Sequence, residues 1–235
     1  MSYAESKPLD FTPVWDQSVD ARATFLVKTY AHLFGAIAAF VLLEVGIFSS
    51  GLAPRIATAL GGVNWLFVLG AFMIVGWLAS SVSHSARSLP AQYAALAAFV
   101  AAEAIIFVPL LYAAQRFGNV IESAAFVTLL GFTGLTAVVF LTRRDFSMLR
   151  GFLMFGGVIA IALIAGGVLF GFQLGVFFSV AMIAFAGAAV LYDTSNVLHH
   201  YPHDRYVGAS LQLFASVALM FWYVLRVFMS SSSRN

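Results

Sequence analysis

The chain has 235 residues, 62% of them hydrophobic and only 9% charged, with a formal net charge of +2. A soluble domain carries about 25% charged residues, so no water-facing core could absorb this much apolar side chain, and lipid is the solvent for most of it. The absence of cysteine excludes disulfides and thiolate chemistry. The small positive balance reflects loops that flank a membrane rather than a nucleic-acid partner.

The chain opens on a polar, acidic stretch holding Glu5, Asp10, Asp16 and Asp20. It lacks the basic start and short apolar run of a cleaved signal peptide, so the first apolar segment is expected to stay as an anchor. Residues 1–21 are expected to form a flexible cytoplasmic tail. Seven segments then approach the ~20 apolar residues that cross a ~30 Å hydrocarbon layer: 25–49, 62–82, 90–114, 123–141, 151–170, 175–198 and 207–228. None shows the strict alternation of barrel strands. The expected fold is an all-α bundle of seven transmembrane helices over residues 22–229, with a short C-terminal tail at 230–235.

The gap at 171–174 is short enough to force an antiparallel hairpin. Gly167, Gly171 and Gly175, spaced by four, suit close backbone approach. Orientation follows from Lys and Arg. With the N-terminus inside, Lys7, Arg22, Lys28, Arg87, Arg143, Arg144, Arg150 and Arg205 fall on the cytoplasmic side. Arg55, Arg116, Arg226 and Arg234 fall on the other. Eight of the twelve basic residues inside favours this orientation. Seven crossings then leave the C-terminus outside, unless the last segment is re-entrant.

Charged and polar groups within the apolar segments are the candidates for function. Asp193 ends a long apolar run in the sixth segment, and a carboxylate at membrane depth costs roughly 2.5–3.5 kcal/mol on insertion scales. Either it faces a partner, a proton or an ion, or it ends the helix at the interface. Asn196 follows three residues later and shares its helix face. Thr194 and Ser195 can satisfy nearby carbonyls where the helix loosens. Glu103 is central in the third segment, before Pro109, which removes a backbone hydrogen bond and is expected to bend the helix. Two readings of Glu103 stand: a proton or cation ligand, or a neutral acid bonded across helices. Glu44 is expected at the interface, and Arg226 is expected to snorkel toward headgroups. Trp65, Trp77, Trp222 and Tyr223 fit interfacial anchoring.

His199, His200 and His203, followed by Asp204, form a weak zinc candidate, since imidazole and carboxylate are zinc ligands. A zinc-dependent membrane hydrolase would need histidines converging from several helices, and only His32 lies well inside a segment. There is no Gly-x-Ser-x-Gly elbow and no glycine-rich phosphate loop. No lysine in the sixth or seventh segment is available for a retinal Schiff base. No enzymatic activity and no cofactor are expected.

Several strings carry a family resemblance. They are Phe25-Leu26-Val27-Lys28-Thr29-Tyr30, Leu141-Thr142-Arg143-Arg144-Asp145-Phe146-Ser147, and Leu191-Tyr192-Asp193-Thr194 continuing through Ser195-Asn196-Val197-Leu198-His199. With the order of the seven segments, the chain resembles the Bax inhibitor-1 (TMBIM) family over residues 20 to 229, and most its bacterial YccA-like branch. The resemblance implies a seven-segment bundle with the last segment buried among the others. It implies two contrasting functions. Some members are pH-sensitive calcium leaks in which two aspartates, on the sixth and seventh helices, share a proton. Asp193 matches the first, but Ser216 stands where the second is expected, and the second segment has no arginine for the proposed basic latch. YccA-like members also lack the second aspartate. They are associated with the inner-membrane AAA protease FtsH, which engages their cytosolic N-terminal tail. On this chain that tail includes Phe11 and Trp15.

Overall fold

The computed structural model describes residues 13–85 and 88–233. Lys7, Phe11, Arg87 and Arg234 lie outside them. Eight α-helices follow in chain order: α1 Val19–Ser49, α2 Ala53–Gly61, α3 Trp65–Ser85, α4 Leu89–Ala114, α5 Val120–Thr142, α6 Leu149–Phe170, α7 Val176–His199 and α8 Tyr206–Ser232. All but the short α2 are long and apolar enough to cross a membrane. The described residues contain no strand, so the fold is the expected all-α membrane bundle. α2, which packs on α4, was not foreseen. At nine residues it is too short to announce itself by apolar length.

Local chemistry sets the helix ends. Ser18 caps α1 by accepting from the Ala21 N–H at 3.3 Å. Proline stands in the first turn of α2 and of α4, where its missing N–H costs nothing. Gly171 ends α6 in the left-handed region at φ 75°. The glycine trio has three separate roles. A Cβ on Gly167 would lie 3.1 Å from the Phe172 carbonyl oxygen, so the hairpin loop folds tightly onto it. Gly171 serves backbone conformation, and Gly175 meets open space. α4 runs through Pro109 without interruption.

α8 lies at the centre, against α7, α1, α5, α4 and α3. α3 and α6 bury almost no residue completely along their apolar windows, as expected of helices with one face in lipid. An aromatic seam joins the central helices: Phe40 meets Phe107 edge-on at 5.2 Å, Phe107 meets Trp222 at 5.0 Å, and Trp222 stacks on Trp65 at 6.3 Å. Trp222 therefore packs inside the bundle, and Tyr223 is buried. Neither is the interfacial anchor expected of it, whereas Trp77 is 68% exposed.

Two further expectations are corrected. Glu44, expected at the interface, is packed inside the bundle at 7% exposure. The presumed flexible tail is fixed from Pro13 onward. Val14 is fully buried, its N–H donates to the Tyr201 carbonyl at 2.9 Å, and the Trp15 ring lies 4.7 Å from that of His199 and under the Arg22 guanidinium. At the C-terminus, α8 runs on to Ser232, past the expected boundary at 229.

Candidate functional site

α7 and α8 meet as an antiparallel pair with Asp193 one and a half turns from the end of α7. Asp193 is 2% exposed. Its Oδ2 accepts from the Ser216 hydroxyl, and its Oδ1 accepts from Gln212 Nε2 at 3.1 Å. Gln212 and Ser216 are four residues apart on α8, so one helix face presents both donors to one carboxyl group. Asp193 is thus a bundle-facing group, not an interfacial helix end. Asn196, though one turn away, is not one of the residues that hold the carboxyl oxygens. Its carbonyl accepts from the N–H groups of His200 and Tyr201, which closes the end of α7.

Gln212 is the residue the sequence reading missed. Its signal was available as the position one turn before Ser216 on the same face. Neighbouring Tyr201 is buried at 4% exposure. Burial pushes its phenol far above the ordinary range, and the charges of Asp193 and Tyr192 add to this, so Tyr201 stays neutral at physiological pH.

A second cluster joins the α5–α6 connection to the end of α7. Ser195 is fully buried, and instead of bonding within its own helix its Oγ accepts from the Phe146 N–H at 2.8 Å. His200 Nε2 donates to Asp145 Oδ2 at 3.0 Å. Desolvation opposes ionisation of Asp145, but hydrogen bonds from Ser147 and His200, with the charge of His200, hold its carboxyl below the usual range. The three histidines of the weak zinc candidate do not converge. His199 donates from Nδ1 to the Ser195 carbonyl at 2.9 Å, His200 is taken by Asp145, and His203 Nδ1 is buried without a hydrogen-bond partner. Among the described residues no group of three metal-ligating side chains converges. His32 makes a separate contact: Nδ1 donates to the Lys28 carbonyl, leaving Nε2 2.7 Å from the Tyr93 hydroxyl.

Glu103, on α4, faces the bundle at 6% exposure and lines a cavity that Arg226 also lines. This cavity is built from residues near the start of α3 and the ends of α4, α6 and α8. It occupies the half of the bundle away from the α7–α8 connection. Of Phe11 and Trp15, named for the expected handle, Trp15 is among the described residues and belongs to the α1–α7 contact above.

Seven apolar helices around a buried, clamped carboxyl group define a multi-pass α-helical membrane protein. The chain belongs to the Bax inhibitor-1 family: the profile described as inhibitor of apoptosis-promoting Bax1 matches residues 22–233. It is 31% identical over 225 residues to Bax inhibitor 1 of Schizosaccharomyces pombe, covering 92% of this chain and 80% of that protein. An uncharacterised Pseudomonas aeruginosa protein is 34% identical over 114 residues, 47% of this chain and 50% of that one. The Escherichia coli K12 protein named modulator of FtsH protease YccA is 32% identical over 117 residues, 49% of this chain and 53% of its own length. The chain thus spans about half the length of these two bacterial relatives. No solved structure gives a significant match.

Proposed function

We propose that this protein is a non-enzymatic regulator of the bacterial inner membrane that binds and restrains an FtsH-type AAA protease, with its N-terminal segment as the handle. The observation that carries the reading is the similarity to the E. coli protein named as a modulator of that protease. The geometry supports it in one respect. Val14 and Trp15 tether the first described residues to the α7–α8 connection, at the end of the bundle holding Arg22, Lys28, Arg143, Arg144 and Arg205. By the positive-inside rule that end is cytoplasmic. Affinity purification from membranes tests the proposal. The protease should be enriched with the full chain and lost on deletion of residues 1–12, and no enrichment with either form sinks it.

The second reading, a pH-sensitive calcium leak gated at Asp193, is favoured by the burial of that carboxyl group between two helices. Its partners here are the neutral Ser216 and Gln212, so a proton shared between two carboxylates is not available. Calcium flux in liposomes that is unchanged by Asp193→Asn rules this reading out.

A further inference from the structure

Among the described residues, Glu44 and Glu103 are buried acidic side chains of the apolar helices with no hydrogen bond or ion pair, and they differ in one respect. Both carboxyl oxygens of Glu44 are sealed in protein without a hydrogen-bond partner, so no ligand reaches them. Glu103 is also more than nine-tenths buried, and no hydrogen bond or ion pair holds it, but it lines a cavity of about 690 Å³. That volume falls within the range of small-molecule sites, about 300–1,000 Å³. The walls are apolar and strongly aromatic, with Trp65, Phe72, Phe99, Phe107 and Trp222. Arg226 lines the same space in the last two turns of α8 and makes no ion pair with Glu103.

A lipid acyl chain would fill an apolar space but leave the Glu103 carboxyl group without a partner, which is costly in a dry site. An anionic headgroup would face the carboxylate directly. An organic cation carried on an apolar body satisfies both features, because its charge pairs with Glu103 while its rings lie on aromatic faces that attract cations. We propose that this cavity is a binding site for lipophilic organic cations, of the aryl-onium or quaternary ammonium class, with Glu103 as counter-ion. Arg226 tempers the affinity by placing a like charge in the same space. The site is independent of protease binding, since it occupies the opposite end of the bundle.

Tetraphenylphosphonium is the probe, and the full chain is used in nanodiscs of uncharged lipid, with empty discs correcting for partition. Saturable binding of one probe per chain is expected, with a change in the fluorescence of Trp65 and Trp222. Glu103→Gln should weaken binding by about thirtyfold or more, the loss typical of removing one partner of a buried charge pair. Arg226→Gln should tighten it, and weaker binding in that variant would mean an anion site and overturn the assignment. Binding no greater than to empty discs, or equal in Glu103→Gln and wild type, also overturns it. Should Glu103→Gln fail to fold, Ala218→Trp, which fills the cavity, decides the matter: binding must be lost, and retention refutes the site.

Discussion

The hydroxyl of Ser216 on α8 donates to Oδ2 of Asp193 on α7, a bond that ties the central helix to its neighbour. Gln212 holds the other oxygen at 3.1 Å. Two neutral donors on one helix face therefore clamp a group that is 2% exposed. Ser216→Ala leaves a buried acceptor unsatisfied and should cost about 1–3 kcal/mol. The Ser216→Ala, Gln212→Leu double variant should depart from the sum of the singles, because both donors act on one carboxyl group. Thermal unfolding in detergent measures both. A wild-type melting curve for Ser216→Ala would show that the clamp does not hold the two helices together.

Ser195 and Asp145 make a contrasting pair at the charged end. Ser195→Ala orphans the Phe146 N–H, which is bonded at 2.8 Å to a fully buried hydroxyl, and should cost about 1–3 kcal/mol. The His200–Asp145 pair is 49% and 43% exposed, so Asp145→Asn should cost less than about 1 kcal/mol. Its pH dependence has a definite sign. The folded carboxyl group titrates below its ordinary value of 3.8. The stabilisation is therefore present above about pH 4 and disappears as pH falls through the folded value. Melting temperatures of wild type and Asp145→Asn should converge in acid, and a gap that widens there would reverse the assignment.

Much of this was legible in the sequence, and the exceptions share a physical cause. Long apolar runs locate membrane helices, and Asp193 with Ser216 could be paired by their places on the last two. Azimuth could not be read. In lipid a helix is apolar on both its core and its lipid face, so hydropathy does not say which way Glu44, Trp222 or Tyr223 points. The Ser195–Phe146 bond joins positions 49 apart in sequence and has no local signal. The docking of Val14 was hidden for a different reason: a short 3-10 turn at Val14–Asp16 in an acidic stretch reads as loop.

That docking makes its own prediction. The Val14 amide donates to Tyr201 and its side chain is fully buried, so it should exchange slowly with deuterium. Trp15→Ala removes the ring between His199 and Arg22 and should speed exchange at Val14 by at least about tenfold, equivalent to ~1.4 kcal/mol of local opening. Equal exchange in the two proteins would mean that Val14 alone anchors the segment.

Glu44 should behave opposite to Ser195. Its two carboxyl oxygens are buried with no hydrogen-bond partner, so the folded state bears their desolvation without return. Replacement by an apolar group of similar size removes that cost. Glu44→Leu is expected to raise the melting temperature, by an amount corresponding to about 1–3 kcal/mol. A lower melting temperature would show that Glu44 is satisfied by a group such as an ordered water or ion.

The α6–α7 hairpin allows three glycines at equal spacing to be separated by mechanism. At Gly171 the backbone is left-handed, φ 75°, with open space around the missing side chain. Gly171→Ala should therefore cost roughly 1–2 kcal/mol from backbone strain alone. At Gly167 the backbone is ordinary helix, but a Cβ would press on the Phe172 carbonyl oxygen at 3.1 Å. Gly167→Ala asks the loop to give by a few tenths of an ångström, and Gly167→Leu has no room, so cost should rise steeply with side-chain size. Gly175 has neither constraint, and Gly175→Ser places a preferred capping residue at the start of α7, which should be neutral or stabilising. Unfolding of the four variants in one detergent tests the set. If Gly175→Ser costs as much as Gly167→Leu, the glycines act as one close-packing motif and the separation by mechanism fails.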